Sequence, residues 1–314
     1  MAKRVYLFNE GNKDDRGLLG GKGANLCEMT ALGLPVPFGF VITTDTCREY
    51  FQSGNKLPTL LEQEYRVALD LVEKKMGARF GDPEDPLLFS VRSGAPVSMP
   101  GMMNTILNLG LNDEIAAGLA AKTGNPRFAY DSYRRFISMF ADVVMGVPGE
   151  KFEHEIERYK DTHGKVQDVE MTAEDWQAVI ETYKTLVDFP EDPFEQLKLA
   201  VEAVFQSWHT PRAIIYREMN NIPDTLGTAV NVQAMVFGNF GDDSGSGVAF
   251  TRNPSTGEHH FFGEILFNAA GEDVVAGTRT PLPVEALNER QPAVYEELYR
   301  TQALLENHYR DMQD

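Results

Sequence analysis

The chain has 314 residues, 42% of them hydrophobic and 24% charged, and its 47 acidic side chains outweigh 29 basic ones for a formal net charge of −18. That balance argues against nucleic acid or an anionic membrane as a partner, no apolar run reaches membrane-spanning length, and no secretory signal pattern opens the chain. Length allows about two domains or one large one. The two cysteines, Cys27 and Cys47, fit no metal or redox pattern, so free thiols in a reducing compartment such as the cytoplasm are expected. A nucleotide bound here would depend on local Lys and Arg and a divalent cation to overcome an unfavourable global field.

Residues 4–8 alternate as a strand does. A polar, glycine-rich stretch follows and ends in Gly20-Gly21-Lys22-Gly23. Leu26, Met29 and Leu32 recur at helical spacing, which predicts a helix starting near Lys22. Free N–H groups at a helix start, with the Lys22 ammonium beside them, suit an anion. A glycine turn capping a helix, with Lys22 in solvent, accounts for the same residues. The stretch is not a Walker A loop, because Gly17 is one residue short of the required spacing and Gly23 stands where that motif has Ser or Thr. Residues 33–43 read as a loop feeding a strand, with Thr43 or Thr44 capping a short helix that carries Cys47 and Tyr50. Residues 57–76 read as an amphipathic helix.

Residues 87–105 organise the chain. An apolar run with the pattern of a buried strand leads to Arg92, Ser93 and Gly94. A basic side chain beside small residues with free N–H groups suits a phosphate, although an ordinary strand-to-loop junction with Arg92 in a structural ion pair is the commoner arrangement. Met99, Met102 and Met103, around Pro100 and Gly101, suggest a loop with an adaptable surface that closes over polyphosphate. Residues 112–205 then change character. Helical patterns at about 112–121, 125–145, 151–160, 172–187 and 194–205 run without a strand candidate between them. His154-Glu155 lacks the second histidine of a zinc helix, and Arg134 and Arg135, read from their own setting, are surface residues.

Strand patterns return at 228–237, 244–254 and 257–267 after a helix near 210–219. Gly245 and Gly247 permit close approach of a ligand or form a turn. Glu272 and Asp273, beside Gly271, suit a cation or a solvated turn. A last helix is expected over 292–312.

Taken together, Gly20-Gly21-Lys22-Gly23-Ala24-Asn25-Leu26, Ser90-Val91-Arg92-Ser93-Gly94, Met99-Pro100-Gly101-Met102-Met103, Val232-Gln233, Gly245 to Pro254 and Ala270-Gly271-Glu272-Asp273-Val274 resemble the N-terminal nucleotide-binding domain of the pyruvate, phosphate dikinase family. The likeness runs over residues 3–314. It implies an α+β, ATP-grasp-like fold in which two lobes clamp ATP. Residues 1–111 and 206–235 would form the first mixed lobe, 112–205 a helical insertion, and 236–314 a second mixed lobe lacking its C-terminal strand. The resemblance implies that Lys22 and Arg92 hold ATP phosphates and stabilise charge in transfer. By the same match Arg135, Gly247, Glu272 and Asp273 line the phosphate end, Gln233, Met235 and Val236 receive adenine through the main chain, and Asp314 is the first of two acids that bind magnesium.

In that family ATP and phosphate react with an enzyme histidine to give AMP, pyrophosphate and phosphohistidine, which then converts pyruvate to phosphoenolpyruvate. None of the six histidines here sits in the family's phosphohistidine setting. The chain is therefore expected to be a piece of a longer enzyme, inactive alone, with the phosphohistidine and pyruvate-binding domains as partners, dimerisation through those parts, and an organelle location compatible with it. Two rivals are a phosphoenolpyruvate synthase-type domain, using water in place of phosphate, and a non-catalytic nucleotide-binding module. Residues 99–103 and 271–273 favour the dikinase.

Overall fold

The computed structural model describes residues 3–277 and 279–310. The chain divides into two compact units, Met1–Met235 and Val236–Asp314. In the first, β1 (Val5–Leu7), α1 (Arg16–Ala31), β2 (Gly39–Ile42), α2 (Thr44–Gln52), α3 (Leu61–Met76), β3 (Phe89–Gly94) and β4 (Thr105–Leu109) precede a helical run. That run comprises α4 (Asp113–Thr123), α5 (Pro126–Val143), α6 (Glu150–His163), α7 (Ala173–Leu186), α8 (Pro193–Ser207) and α9 (Pro211–Met219), and β5 (Ala229–Ala234) returns the chain to the sheet. The strands form one antiparallel sheet in the order β1-β2-β5-β3-β4. The strand of this sheet that comes last in the chain, β5, is thus clasped between β2 and β3. Ala229, Val230, Asn231, Val232 and Ala234 are all buried, as expected of a strand covered on both faces.

The helix boundaries follow the capping chemistry in the sequence. The side chains of Thr43, Asn112, Asn125, Thr172 and Asp192 accept from the first-turn amides of α2, α4, α5, α7 and α8, and Pro126 and Pro193 sit where a missing N–H costs nothing. Helix α5 is the axis of the helical run. Phe128, Tyr133, Phe136, Ile137 and Phe140 are buried along it, and the Phe136 and Phe140 rings meet Phe189 edge-on at 5.4 and 5.5 Å. Each such ring contributes about 1.5–3 kcal/mol through burial. The run is continuous with the sheet: α5 packs on β4, and the buried Gln196 amide accepts from the Gly110 N–H and donates to the Leu111 carbonyl. No strand lies between residues 113 and 219 among the described residues.

The second unit holds β6 (Gly245–Phe250), β7 (Phe262–Phe267), α10 (Gly271–Val275), β8 (Leu282–Pro283), α11 (Ala286–Arg290) and α12 (Pro292–Tyr309). Its antiparallel sheet, β6-β7-β8, buries Ile265 and Phe267 against Leu287 and Tyr295. Helix and antiparallel sheet in both units make the chain an α+β protein. No described helix is long and apolar enough to cross a membrane.

Three local expectations change. The first helix begins at Arg16, six residues ahead of Lys22, and bends at Gly20, whose φ of 70° and ψ of 168° are open to glycine alone. Arg92 lies inside β3 rather than beyond it, because β4, which carries Asn108 in a left-handed conformation and was not anticipated from its pattern, supplies a partner strand. Gly245 and Gly247 are strand residues, not a turn.

Candidate functional site

The bend in α1 lies directly on the end of β3. A Cβ on Gly20 would stand 1.7 Å from the Gly94 carbonyl oxygen, and the Gly21 N–H donates to the Ala95 carbonyl at 2.9 Å. One turn on, a Cβ on Gly23 would meet the Val41 side chain at 3.0 Å and Asn231 Oδ1 at 2.9 Å. The glycines therefore serve close approach of helix to sheet, not a cap. Because the helix is pressed so near, Lys22 is carried beside Arg92.

Arg92 stands in β3 between Thr105 of β4 and Asn231 of β5, half-buried. Lys22 stays accessible to solvent, yet the surrounding protein withdraws enough water to lower its pKa, and repulsion from Arg92 lowers it further. In a chain with 47 acids, Lys22 makes no ion pair with any described residue. The end of β3 is fixed by the Gly94 N–H, which donates to the buried Thr228 hydroxyl at 3.2 Å. The loop beyond is anchored where an adaptable surface was expected: Met99 is buried against Trp208 and Ala213, with Met102 and Met103 packed beside it.

Arg135 has a different setting. Its Nε donates to Asp131 Oδ2 at 3.2 Å on the same helix. Its neighbour Arg134 is buried, not at the surface, with Nη2 2.8 Å from Asp131 Oδ1 and 2.6 Å from Asp168 Oδ2, and its guanidinium 4.5 Å from the Trp176 ring centre. Burial pushes the Asp168 carboxyl up, but Arg134, Lys160 and Arg135 outweigh it and hold it below the usual carboxylate range. Paired acids and a stacking indole are what allow these arginines inside.

Gln233 pairs with Gly39 on one side and Ser90 on the other, and its side-chain amide donates to the Pro37 carbonyl at 3.0 Å. The Met235 N–H donates to the Leu88 carbonyl at 2.9 Å. In the second unit, Gly247 faces Ile265, where a Cβ would lie 2.5 Å from the Glu264 carbonyl oxygen, so strand packing by itself calls for glycine. Glu272 and Asp273 lie in the first turn of α10, and Asp273 Oδ2 accepts from the Ala270 N–H at 3.0 Å. Among the described residues no group of three or more His, Cys, Asp or Glu gathers as a metal site. Asp314 lies outside the described residues. Asn231, which the sequence reading passed over, touches both sides of the Lys22–Arg92 junction. Its signal was an amide at a buried position of a valine-rich strand.

Comparison with known proteins gives the family. The family model described as pyruvate phosphate dikinase, AMP/ATP-binding domain, matches residues 16–73 and 55–296. Pyruvate, phosphate dikinase of Clostridium symbiosum is 56% identical over 321 residues, covering 100% of this chain and 37% of that protein. The chloroplastic pyruvate, phosphate dikinase 1 of Arabidopsis thaliana is 53% identical over 99% of this chain and 33% of its own length. That of Zea mays is 54% identical over 99% of the chain and 34% of its own length. The chain thus spans about a third of the length of the curated relatives it matches.

Proposed function

Because the chain belongs to the family of pyruvate phosphate dikinase AMP/ATP-binding domains, we propose that the Lys22–Arg92 pair is where it takes the phosphates of ATP. The observation that carries this is Lys22 itself: accessible, depressed by burial and by Arg92, and without a carboxylate among the described residues. Folding has brought two like charges together, and a polyanion between them converts that repulsion into attraction. Lysine supplies a mobile point charge and arginine a planar fork, a combination suited to adjacent phosphoryl groups. The close approach of Gly20 to Gly94 sets the backbone that carries both, which limits the reorganisation that opposes binding.

The remaining assignments rest on the sequence match. The fold is ATP-grasp-like in this reading. The main chain at Met235 and Val236 receives adenine, and Gln233, already engaged in the sheet, holds the end of the strand. Arg135, Gly247, Glu272 and Asp273 are the further candidates at the phosphate end. Mg2+ would accompany the nucleotide, since that ion commonly takes one or two carboxylates beside substrate phosphates, with Asp314 as the candidate ligand. The function proposed for the whole enzyme is pyruvate, phosphate dikinase activity: the pyrophosphoryl group of ATP passes to a histidine on another domain with release of AMP, its outer phosphoryl group passes to phosphate to give pyrophosphate, and the phosphoryl group left on the histidine passes to pyruvate to give phosphoenolpyruvate. In it this chain binds and orients ATP.

Titration calorimetry with ATP tests the site. Wild type should bind, and Lys22→Ala should weaken affinity about 30- to 100-fold, the scale of removing one charge-assisted hydrogen bond. Equal affinity in the two proteins would sink the assignment.

A further inference from the structure

Asn231 stands opposite Arg92 on one side of β5 and opposite Val41 on the other, and is 1% exposed. Its Nδ2 donates to the Arg92 carbonyl at 3.4 Å, while its Oδ1 has no hydrogen-bond partner. Two glycines make room for this amide. A Cβ on Gly94 would lie 2.5 Å from Nδ2, and one on Gly23 would lie 2.9 Å from Oδ1. Gly23 follows Lys22 directly, and Gly94 stands two residues after Arg92 on the same strand.

We propose that Asn231 is a positioning residue for the phosphate site: its amide, keyed between Gly23 and Gly94, sets the spacing between Lys22 on α1 and Arg92 on β3. This rests on the phosphate reading given above. Strand formation alone does not select asparagine here. The flanking Val230 and Val232 show what the sheet prefers, and a buried amide oxygen without a donor is a standing cost that an apolar residue avoids. A flat, short amide instead fits the slot that the two missing methyl groups leave, and it grips the main chain of Arg92. A larger side chain would drive helix and strand apart; a smaller one would let them close. Either change alters the distance between the two cations.

The test uses the 314-residue chain with carbon-13-labelled lysine, reading the Lys22 titration by NMR without ligand and ATP affinity by calorimetry. Asn231→Ser is too small to clash and leaves the slot loose. The Lys22 pKa should move from its wild-type value, with ATP affinity about tenfold weaker as the cations lose register and the melting temperature within a few degrees of wild type. Asn231→Asp keeps the shape and places a carboxylate beside the pair. It should raise the Lys22 pKa and weaken ATP by more than about tenfold, and it carries the test should the serine variant fail to fold. A Lys22 titration identical in all three proteins, with ATP affinity within about twofold, overturns the proposal. Should wild type bind no ATP while the Lys22 titration still follows residue 231, the phosphate reading fails and the spacing role stands.

Discussion

Two pairs of basic side chains lie in the first unit, and the protein furnishes them in opposite ways. Around Arg134 and Arg135 it gathers Asp131, Asp168 and the face of Trp176, so that each guanidinium has a carboxylate on its own or a neighbouring element. Around Lys22 and Arg92 it gathers Gly20, Gly21, Gly23 and Gly94, and for the lysine no acid at all among the described residues. A buried charge met by protein charges is part of the scaffold. Lysine set beside a like charge on glycine-lined backbone suits an incoming polyanion, the role proposed above for Lys22 and Arg92. Sequence adjacency is the poorer guide: Arg134 and Arg135 are neighbours in the chain, while Lys22 and Arg92 are brought together by the packing of α1 on β3.

The largest expected effect separates the two pairs. Arg134→Met leaves Asp131 and Asp168 short of their main counter-charge in a buried setting and should cost about 3–5 kcal/mol of unfolding free energy. ATP affinity of the folded protein should stay within about twofold. Lys22→Met should do the reverse, weakening ATP about 30- to 100-fold, as Lys22→Ala does, while the melting temperature holds or rises by about 1–2 °C, because a repelled ammonium is removed. Denaturant melts and calorimetry on both variants decide the matter, and the comparison breaks if both variants lose stability alike.

Gly20→Ala should fall between these extremes and touch both properties. The substitution forces a Cβ onto the Gly94 carbonyl and a side chain onto a φ of 70°, at a cost of about 2–3 kcal/mol. Because the same close approach presses α1 to β3, ATP affinity should fall together with stability. Gly17→Ala, with open space around it, is the control and should leave both unchanged.

How much of this was legible beforehand depended on whether the signal was local. The caps at Thr43 and Asn112, the aromatic stripe of α5 and the alternation of β5 all lie within a few residues, and those elements form where expected. Lys22 and Arg92 were legible as candidates from their glycine-rich settings and from the family resemblance. Their juxtaposition was not, since it is made by one backbone carbonyl 74 positions from the glycine it touches. The start of α1 was misread because Gly17, Gly20 and Gly21 look like punctuation, whereas all three lie inside a helix that Gly20 and Gly21 seat against the end of β3. The burial of Arg134 was illegible because Asp168 and Trp176, its neutralising and stacking partners, come 34 and 42 residues later. Asn231 escaped notice because an amide in a strand carries no motif.

The smallest effect concerns acid. Asp168 is held below the usual carboxylate range in the folded chain, so its ionised form favours the fold. That contribution is present above the unfolded pKa, near 4, and is lost as the pH falls through the lower folded value. Its side chain is 37% exposed, so solvent screening limits the contribution to about 1 kcal/mol. Asp168→Asn should therefore be about 1 kcal/mol less stable than wild type at neutral pH, with the gap closing below about pH 4 as the wild-type carboxylate takes up its proton. Lys22→Met should show no such closing, because its lysine titrates far above that range even when depressed. A pair of stability profiles that converge for residue 168 and stay parallel for residue 22 would mark the Arg134–Asp168 pair as scaffold and set Lys22 apart from it.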